Sequence, residues 1–187
     1  MQKIETKLSG LVVIEPDVHG DDRGFFMETY HKGKFHDLGI DTTFVQDSHS
    51  HSVKGVIRGL KFQYDEPTDK LVRVAYGKIF AVGVDLRPGS ETFGKWDSVE
   101  LSGENKRMLY LPFGFAFGFC VTGETAGVLY KLSALHNDAG SGTIRFDDPD
   151  IGVDWPEKSP IVSKADAAAE TFKEWQERGG ATTMAVK

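Results

Sequence analysis

Short runs rich in Val, Ile, Phe and Tyr, each ended by turn residues, recur along most of this 187-residue chain. Leu11-Val12-Val13-Ile14 stops at Pro16, and Gly24-Phe25-Phe26-Met27-Glu28-Thr29-Tyr30 follows the turn Gly20-Asp21-Asp22. Thr43 to Gln46, Leu71 to Tyr76, Ile79 to Asp85, Met108 to Leu111, Gly118 to Val121 and Gly127 to Leu132 have the same character. Runs this short and this rich in β-branched and aromatic residues read as strands. Gly77-Lys78, between two of them, predicts a hairpin turn. The high counts of 21 Gly and 13 Phe suit many strands and turns. Close spacing of so many strands predicts an all-β fold, an antiparallel β-sandwich of jelly-roll type with a few peripheral helices. With no repeat, low-complexity segment or long linker, residues 1–187 are expected to form a single domain. Lys32 to Leu38 reads as a short helix ended by Gly39. A longer C-terminal helix is expected over about residues 163–178, with Ser163 as N-cap and Asp166 completing an S-x-x-D box. Gly179-Gly180 would end it, leaving a frayed tail.

Composition narrows the function. Acidic residues outnumber Lys plus Arg by 28 to 22, for a formal charge of -6, a poor balance for an electrostatic nucleic-acid binder. The apolar runs fall far short of the roughly 20 residues that span a bilayer. The single cysteine, Cys120, excludes an intrachain disulfide and a cysteine-built metal site. No long apolar stretch near the start argues for export, so the expectation is a cytoplasmic protein without membrane or nucleic-acid partners.

Three residue clusters could carry chemistry. His49-Ser50-His51 could set two imidazoles on one strand face, but a metal needs a third and usually a fourth ligand. His136 and Asp47 are available, yet no spacing selects them, and exposed polar residues are the favoured reading. In Asp22-Arg23-Gly24-x-Phe26-x-Glu28, an aromatic ring, a carboxylate and an arginine could stack on and hydrogen-bond a nucleotide; a plain hairpin with core Phe residues is the alternative. Arg58-Gly59-Leu60-Lys61, followed by Lys70, gathers three cations, and Arg58 with Lys70 could clamp a diphosphate. A solvated basic strand is the competing reading.

Asp22-Arg23-Gly24-Phe25-Phe26-Met27-Glu28 resembles the D-x-R-G-x-F-x-E signature of the dTDP-4-dehydrorhamnose 3,5-epimerase family. Gln46-Asp47-Ser48-His49-Ser50 and Gly55-Val56-Ile57-Arg58-Gly59-Leu60 are similar to its Q-D-N-x-S and G-V-L-R-G-L-H-Y-Q blocks. Lys70-Leu71-Val72, Val84-Asp85-Leu86-Arg87, Thr92 to Trp96, Pro112 to Phe119, Tyr130-Lys131, Asp148-Pro149 and Trp155-Pro156 follow in family order. The likeness runs from about residue 10 to residue 172. It implies a cupin-type jelly roll, a homodimer, no metal or redox cofactor, and a nucleoside-diphosphate 4-keto-6-deoxyhexose as substrate. It also implies the chemistry: a base removes the proton next to the keto group, a tyrosine returns one from the other face, a lysine steadies the enolate, and an aspartate orients the base.

Carried over by position, Arg23, Phe26, Glu28, Gln46 and Arg58 match the family's nucleotide contacts, some of them reaching across the dimer. Lys70 matches the enolate lysine and Asp166 the aspartate behind the base. The reacting end departs from the pattern. Lys61 stands where the family has the histidine of R-G-L-H, and Phe117 where it has that of G-F-A-H-G-F. Ser48 replaces the asparagine of Q-D-N, which leaves the nucleoside open. Ala81 replaces an aspartate, Ser141 aligns with a glutamate, and His136 aligns with the acid tyrosine.

A lysine base needs its pKa brought down from about 10.4. Lys70 nearby would do this to Lys61, whereas pairing with Asp166 would oppose it. Asp166 as a helix-capping residue is an equal alternative. Histidine titrates near neutrality, so His136 could be the principal proton-transfer group. An imine between a lysine and the keto carbon is a further option. Three functions stay open: a 3,5-epimerase, a single-centre epimerase or keto-isomerase using Lys61 and His136, and a non-catalytic sugar-nucleotide-binding homologue.

Overall fold

Two strands far longer than the sequence suggests organise the molecule. The computed structural model describes residues 1–184. In chain order the elements are β1 (Gln2–Glu5), β2 (Val12–Glu15), β3 (Val18–Asp21), β4 (Gly24–Met27), α1 (Lys32–Asp37), β5 (Gln46–Val53), β6 (Ile57–Gln63), β7 (Lys70–Asp85), β8 (Trp96–Ser102), β9 (Met108–Leu111), β10 (Phe115–Leu132), β11 (Ser141–Thr143), α2 (Lys164–Ala167), α3 (Phe172–Glu177) and α4 (Gly180–Thr183). Strands β7 and β10 run antiparallel, from Phe115 beside Asp85 to Leu132 beside Lys70. The first half of β7 pairs with β9 and the second half with β8. The second half of β10 pairs with β5, and its first half with β6. The long strands therefore belong to both layers of a sandwich. One layer is β1-β2-β9-β7-β10-β5 and the other β8-β7-β10-β6-β11. All these pairings are antiparallel, as the jelly-roll expectation requires.

The hairpin expected at Gly77-Lys78 does not form, because β7 continues through it. Gly77 adopts φ +77° and lies so close to β10 that an added Cβ would stand 1.8 Å from the Thr125 carbonyl oxygen. The register of β7 against β10 shifts at this point. A shift of one residue exchanges the two faces of a strand. Before Gly77, Val72 and Val74 enter the core between the sheets; after it, Ile79 and Ala81 do, while Val82 and Val84 turn outward. β10 changes phase across the same region, from Phe117, Phe119 and Val121 inward to Ala126 and Val128 inward. Two closely spaced register shifts, between Val121 and Ala126 and between Gly127 and Val128, let two strands line the interior of both sheets.

The outer faces are covered separately. Phe35 of α1 and Ile40 pack on Val12, Ile14, Leu71, Met108 and Tyr110 of the first sheet. Helix α1 starts at the His31 N-cap and gives way to Gly39 (φ +80°), as its sequence predicts. Trp155, Phe172, Trp175 and Met184 cover Ile57, Leu60, Phe62, Val82 and Val84 of the second sheet. The single helix expected over 163–178 is two short ones. Glu170 is drawn into a bridge with Ile144, which requires extended backbone, and a Thr171–Glu174 capping box restarts the helix. The frayed tail is likewise corrected up to Met184, which is fully buried; residues 185–187 lie outside the described part. No described helix is long and apolar enough to cross a membrane.

A buried carboxylate ties the loop that closes the second sheet. Asp85, fully buried, accepts from the Arg87 Nε at 2.9 Å, the Ser90 hydroxyl at 2.6 Å and the Thr92 hydroxyl at 2.6 Å. Burial pushes its pKa up, but these hydrogen bonds outweigh burial and hold it below the usual carboxylate value. Its folded pKa is thus below its unfolded one, about 3.9, so its stabilisation is present above that value and lost as pH falls through the folded pKa. We expect Asp85→Ala to cost about 3 kcal/mol in chemical denaturation, with the gap to wild type constant at neutral pH and closing only below pH ~4. Gly77→Ala should cost about 3 kcal/mol or more in the same measurement, because strain and a backbone clash add.

Candidate active site

The open end of the sandwich holds a cavity of about 530 Å³. Ser48 and Ser50 of β5, Lys70 of β7 and Tyr130 and Leu132 of β10 face it from the first sheet. Arg58 and Lys61 of β6 and Phe117 and Phe119 of β10 face it from the second. Alternation alone would send Arg58 and Lys61 to opposite faces of β6. Gly59 breaks that alternation: it takes φ +129°, and a Cβ there would stand 2.5 Å from the Gly118 Cα of β10. The β6–β10 register shifts at the same place, between Phe117 and Phe119. Leu60 is buried in the outer core while both its cationic neighbours reach the cavity.

The two lysines are held differently. Lys61 Nζ donates to Asp166 Oδ1 at 2.7 Å. Asp166 is 3% exposed; its backbone N–H donates to the hydroxyl of the N-cap Ser163 at 3.0 Å, while its carboxylate backs Lys61 instead of completing the capping box. Lys70 Nζ crosses toward β6 and donates to the Lys61 carbonyl oxygen at 3.0 Å. Among the described residues, no carboxylate pairs with it. Burial and the neighbouring Lys61 charge push its pKa down to about 8. Asp69 fixes the start of β7 beside it, accepting from Tyr110 Oη at 2.8 Å, from Phe113 N–H at 2.8 Å and from the Thr42 hydroxyl.

Arg58 donates from Nε to the Ser52 hydroxyl at 3.0 Å. Among the described residues it has no carboxylate partner, which leaves guanidinium hydrogens for a ligand. Tyr130 shares a 2.9 Å hydrogen bond with Ser50 Oγ. Burial raises its pKa, against smaller opposing effects of Ser50 and Arg58, so the phenol keeps its proton at neutral pH. The rim is formed by the segment after β10. Gln46 Oε1 accepts from His136 N–H at 2.8 Å, and Gln63 Oε1 from Asn137 N–H at 3.1 Å. His136 Nε2 is 2.9 Å from Asp138 Oδ1, with about half of its side chain exposed (53%).

The structure thus brings together Ser48, Arg58, Lys61, Lys70 and His136, with Gln46 and Asp166 directly behind them. It does not bring Arg23, Phe26 and Glu28 to this cavity. They lie on or beside the β3–β4 hairpin, a two-stranded sheet apart from the main one. Arg23 Nε bonds Asp21 Oδ1 at 3.1 Å, Glu28 pairs with Lys34, and Phe26 is 68% exposed. His49 and His51 are on the exposed face of β5, where His51 Nδ1 meets Tyr76 Oη at 3.0 Å. Asp47 pairs with Lys131 at 2.9 Å. His136, on the rim, is tied instead to Asp138. Tyr130 was passed over as a site residue. Its strand phase could have found it: it shares parity with Ala126 and Val128, the inward residues of the second half of β10.

The profile of the dTDP-4-dehydrorhamnose 3,5-epimerase family matches residues 5–174. A dTDP-4-dehydrorhamnose 3,5-epimerase of Methanothermobacter thermautotrophicus is 49% identical over 153 residues, covering 82% of this chain and 83% of that protein. The structure of a Legionella pneumophila dTDP-6-deoxy-D-glucose-3,5-epimerase with dTDP-4-keto-L-rhamnose superposes with TM-score 0.89 and 42% identity, over 92% of this chain and 93% of the other. A 3'-monoepimerase of Streptomyces bikiniensis, solved with dTDP-quinovose, superposes with TM-score 0.89 and 27% identity, over 97% of this chain and 91% of the other. By profile, by sequence and by fold, this chain belongs to the dTDP-4-dehydrorhamnose 3,5-epimerase family.

Proposed function

We propose that the protein is an epimerase that enolises a dTDP-linked 4-keto-6-deoxyhexose in this cavity. The observation that carries the reading is a cluster of cations, Arg58, Lys61 and Lys70, facing a half-buried phenol inside a protein whose net charge is -6. A diphosphate suits the Arg58 guanidinium, which has no carboxylate partner among the described residues. Removing a proton next to a carbonyl is limited by the developing enolate charge, and fixed cations in a partly dry cavity stabilise that charge. Tyr130 is protonated and faces the same space, so it is the group that returns a proton to carbon. It takes this role in preference to His136, which lies on the solvent-facing rim and serves the entrance. No metal or redox group is needed for these steps.

A second reading, epimerisation at one carbon only, is favoured by Lys61 in place of the family's histidine and by the likeness to a monoepimerase. Deuterium decides between them. We expect incubation with dTDP-4-keto-6-deoxyglucose in deuterium oxide to exchange the sugar protons at C3 and C5, read by NMR. Exchange at one carbon establishes the single-centre enzyme; exchange at neither refutes the enolisation. Tyr130→Phe should slow epimerisation by about a hundredfold or more while dTDP still binds, whereas His136→Ala should lose much less.

The protein is further proposed to act as a homodimer whose hairpins complete each other's sites. Phe25 and Phe26 are 59% and 68% exposed on a hairpin outside the main sheet, and Arg23 and Phe26 have no place in their own cavity. A second copy gives these aromatic rings a surface to cover and the nucleotide a ring to stack on. Sedimentation should show a dimer at micromolar concentration. Phe26→Ala should weaken dTDP binding by about tenfold, the value of one lost stacking contact. A monomer that binds dTDP with wild-type affinity after this change would contradict the arrangement.

A further inference from the structure

We propose that Lys70 is the base that removes the proton next to the keto group, with Lys61, backed by Asp166, donating to the carbonyl oxygen. The inference deepens the enolisation proposed above and rests on it. It divides the labour between two lysines that share one cavity but have different partners.

Lys61 is engaged by a nearly buried carboxylate at 2.7 Å. A lysine in such a pair is a hydrogen-bond donor with no free electron pair to offer carbon. Among the described residues Lys70 has no such anchor. It donates to a backbone carbonyl, the Lys61 oxygen, at 3.0 Å. The charged and titratable groups around it come from every neighbouring element. Arg58 and Lys61 face it from β6, Tyr130 from β10, and His136 and Asp138 from the rim. Asp166 of α2 is spent on Lys61, and Asp69, next to Lys70 in the chain, is spent on Tyr110, Phe113 and Thr42. In this largely cationic setting Lys70 is the lysine whose proton is easiest to lose, in line with a pKa near 8. Roughly a tenth of it is then a neutral amine at pH 7, enough for a base that is reset each turnover.

The step balances without a co-reactant. The C–H bond next to the carbonyl breaks, its proton goes to Lys70 Nζ, and the electron pair moves through the new C=C bond onto the keto oxygen, where the Lys61 ammonium donates. Tyr130 Oη then gives a proton to the carbon, and the keto group re-forms. Between turnovers Lys70 loses its proton and Tyr130 regains one through solvent. Lys70 and Tyr130 stand on neighbouring strands of the first sheet and lean to different partners, the Tyr130 hydroxyl to Ser50 of β5 and the Lys70 amine to the Lys61 carbonyl of β6.

Arginine substitution separates a base from a fixed charge, because a guanidinium keeps its proton at any working pH. Deuterium exchange into the sugar and dTDP binding would be measured for Lys70→Arg, Lys70→Met and Lys61→Arg. We expect both Lys70 variants to lose exchange by about a hundredfold or more with dTDP still bound, and Lys61→Arg to stay within about tenfold of wild type. The wild-type exchange rate should rise with pH along a limb centred near 8, a readout that needs no variant. Lys70→Arg exchanging at near wild-type rate while Lys61→Arg is dead would overturn the assignment and leave the enolisation standing. A wild-type rate that is flat between pH 7 and 9 would do the same. A sugar adduct trapped on Lys70 by borohydride would replace proton transfer by imine chemistry and also overturn it. Failure of the wild-type protein to exchange at all would refute the enolisation itself.

Discussion

The pairing of β7 with β10, and the change of phase the two strands make together near Gly77, is the constraint on which the rest of the molecule depends. A strand that kept strict alternation over sixteen or eighteen residues could line only one face of one sheet. Because both strands slip within one short region, each places inward residues in two sheets. The first half of β7 and the second half of β10 thereby bring Lys70 and Tyr130 to the cavity, while the first half of β10 brings Phe117 and Phe119. A second irregularity, at Gly59, adds Arg58 and Lys61 from the same stretch of β6. The functional groups occupy the cavity because glycines permit close approach where side chains would collide.

The electrostatics follow from this placement. The protein carries a formal charge of -6, yet the cavity walls are cationic, since most carboxylates elsewhere are exposed or paired. Asp85 and Asp69 are consumed by structural hydrogen bonds, and Asp166 by Lys61. That leaves cations to meet an anionic substrate in a space whose aromatic floor excludes part of the water. One of the two cavity lysines is paired with a carboxylate and, among the described residues, its neighbour is not, so two identical side chains have different surroundings.

Much of this was legible in the sequence. The short apolar runs gave the strands, the Gly39 stop gave α1, and the ordered motifs gave the family. The association of Arg58, Lys61, Lys70 and Asp166 could be read from those motifs, and the structure does bring them together. What could not be read is what depends on partners distant in sequence. Gly77-Lys78 has the chemistry of a turn, but Thr125 and the rest of β10 decide that it is a bulge. Residues 163–178 have helical propensity, but Ile144 claims the backbone of Glu170 and divides them. Tyr130 has the composition of any strand tyrosine, and only the phase shift shows that it faces inward. Arg23, Phe26 and Glu28 match a family motif, yet the fold places them on or beside a separate hairpin, away from the cavity.

The central claim is that one cavity, built by the slipped strands, holds the diphosphate at Arg58 and the keto sugar among Lys61, Lys70 and Tyr130. A crystal structure with dTDP-4-keto-6-deoxyglucose, or a slow analogue, tests it most directly. The account predicts phosphate oxygens within hydrogen-bond distance of the Arg58 guanidinium, and the sugar ring between the Lys70 amine and the Tyr130 hydroxyl. A ligand seated on the outer face of either sheet, or one with its sugar turned out past His136 into solvent, would contradict it.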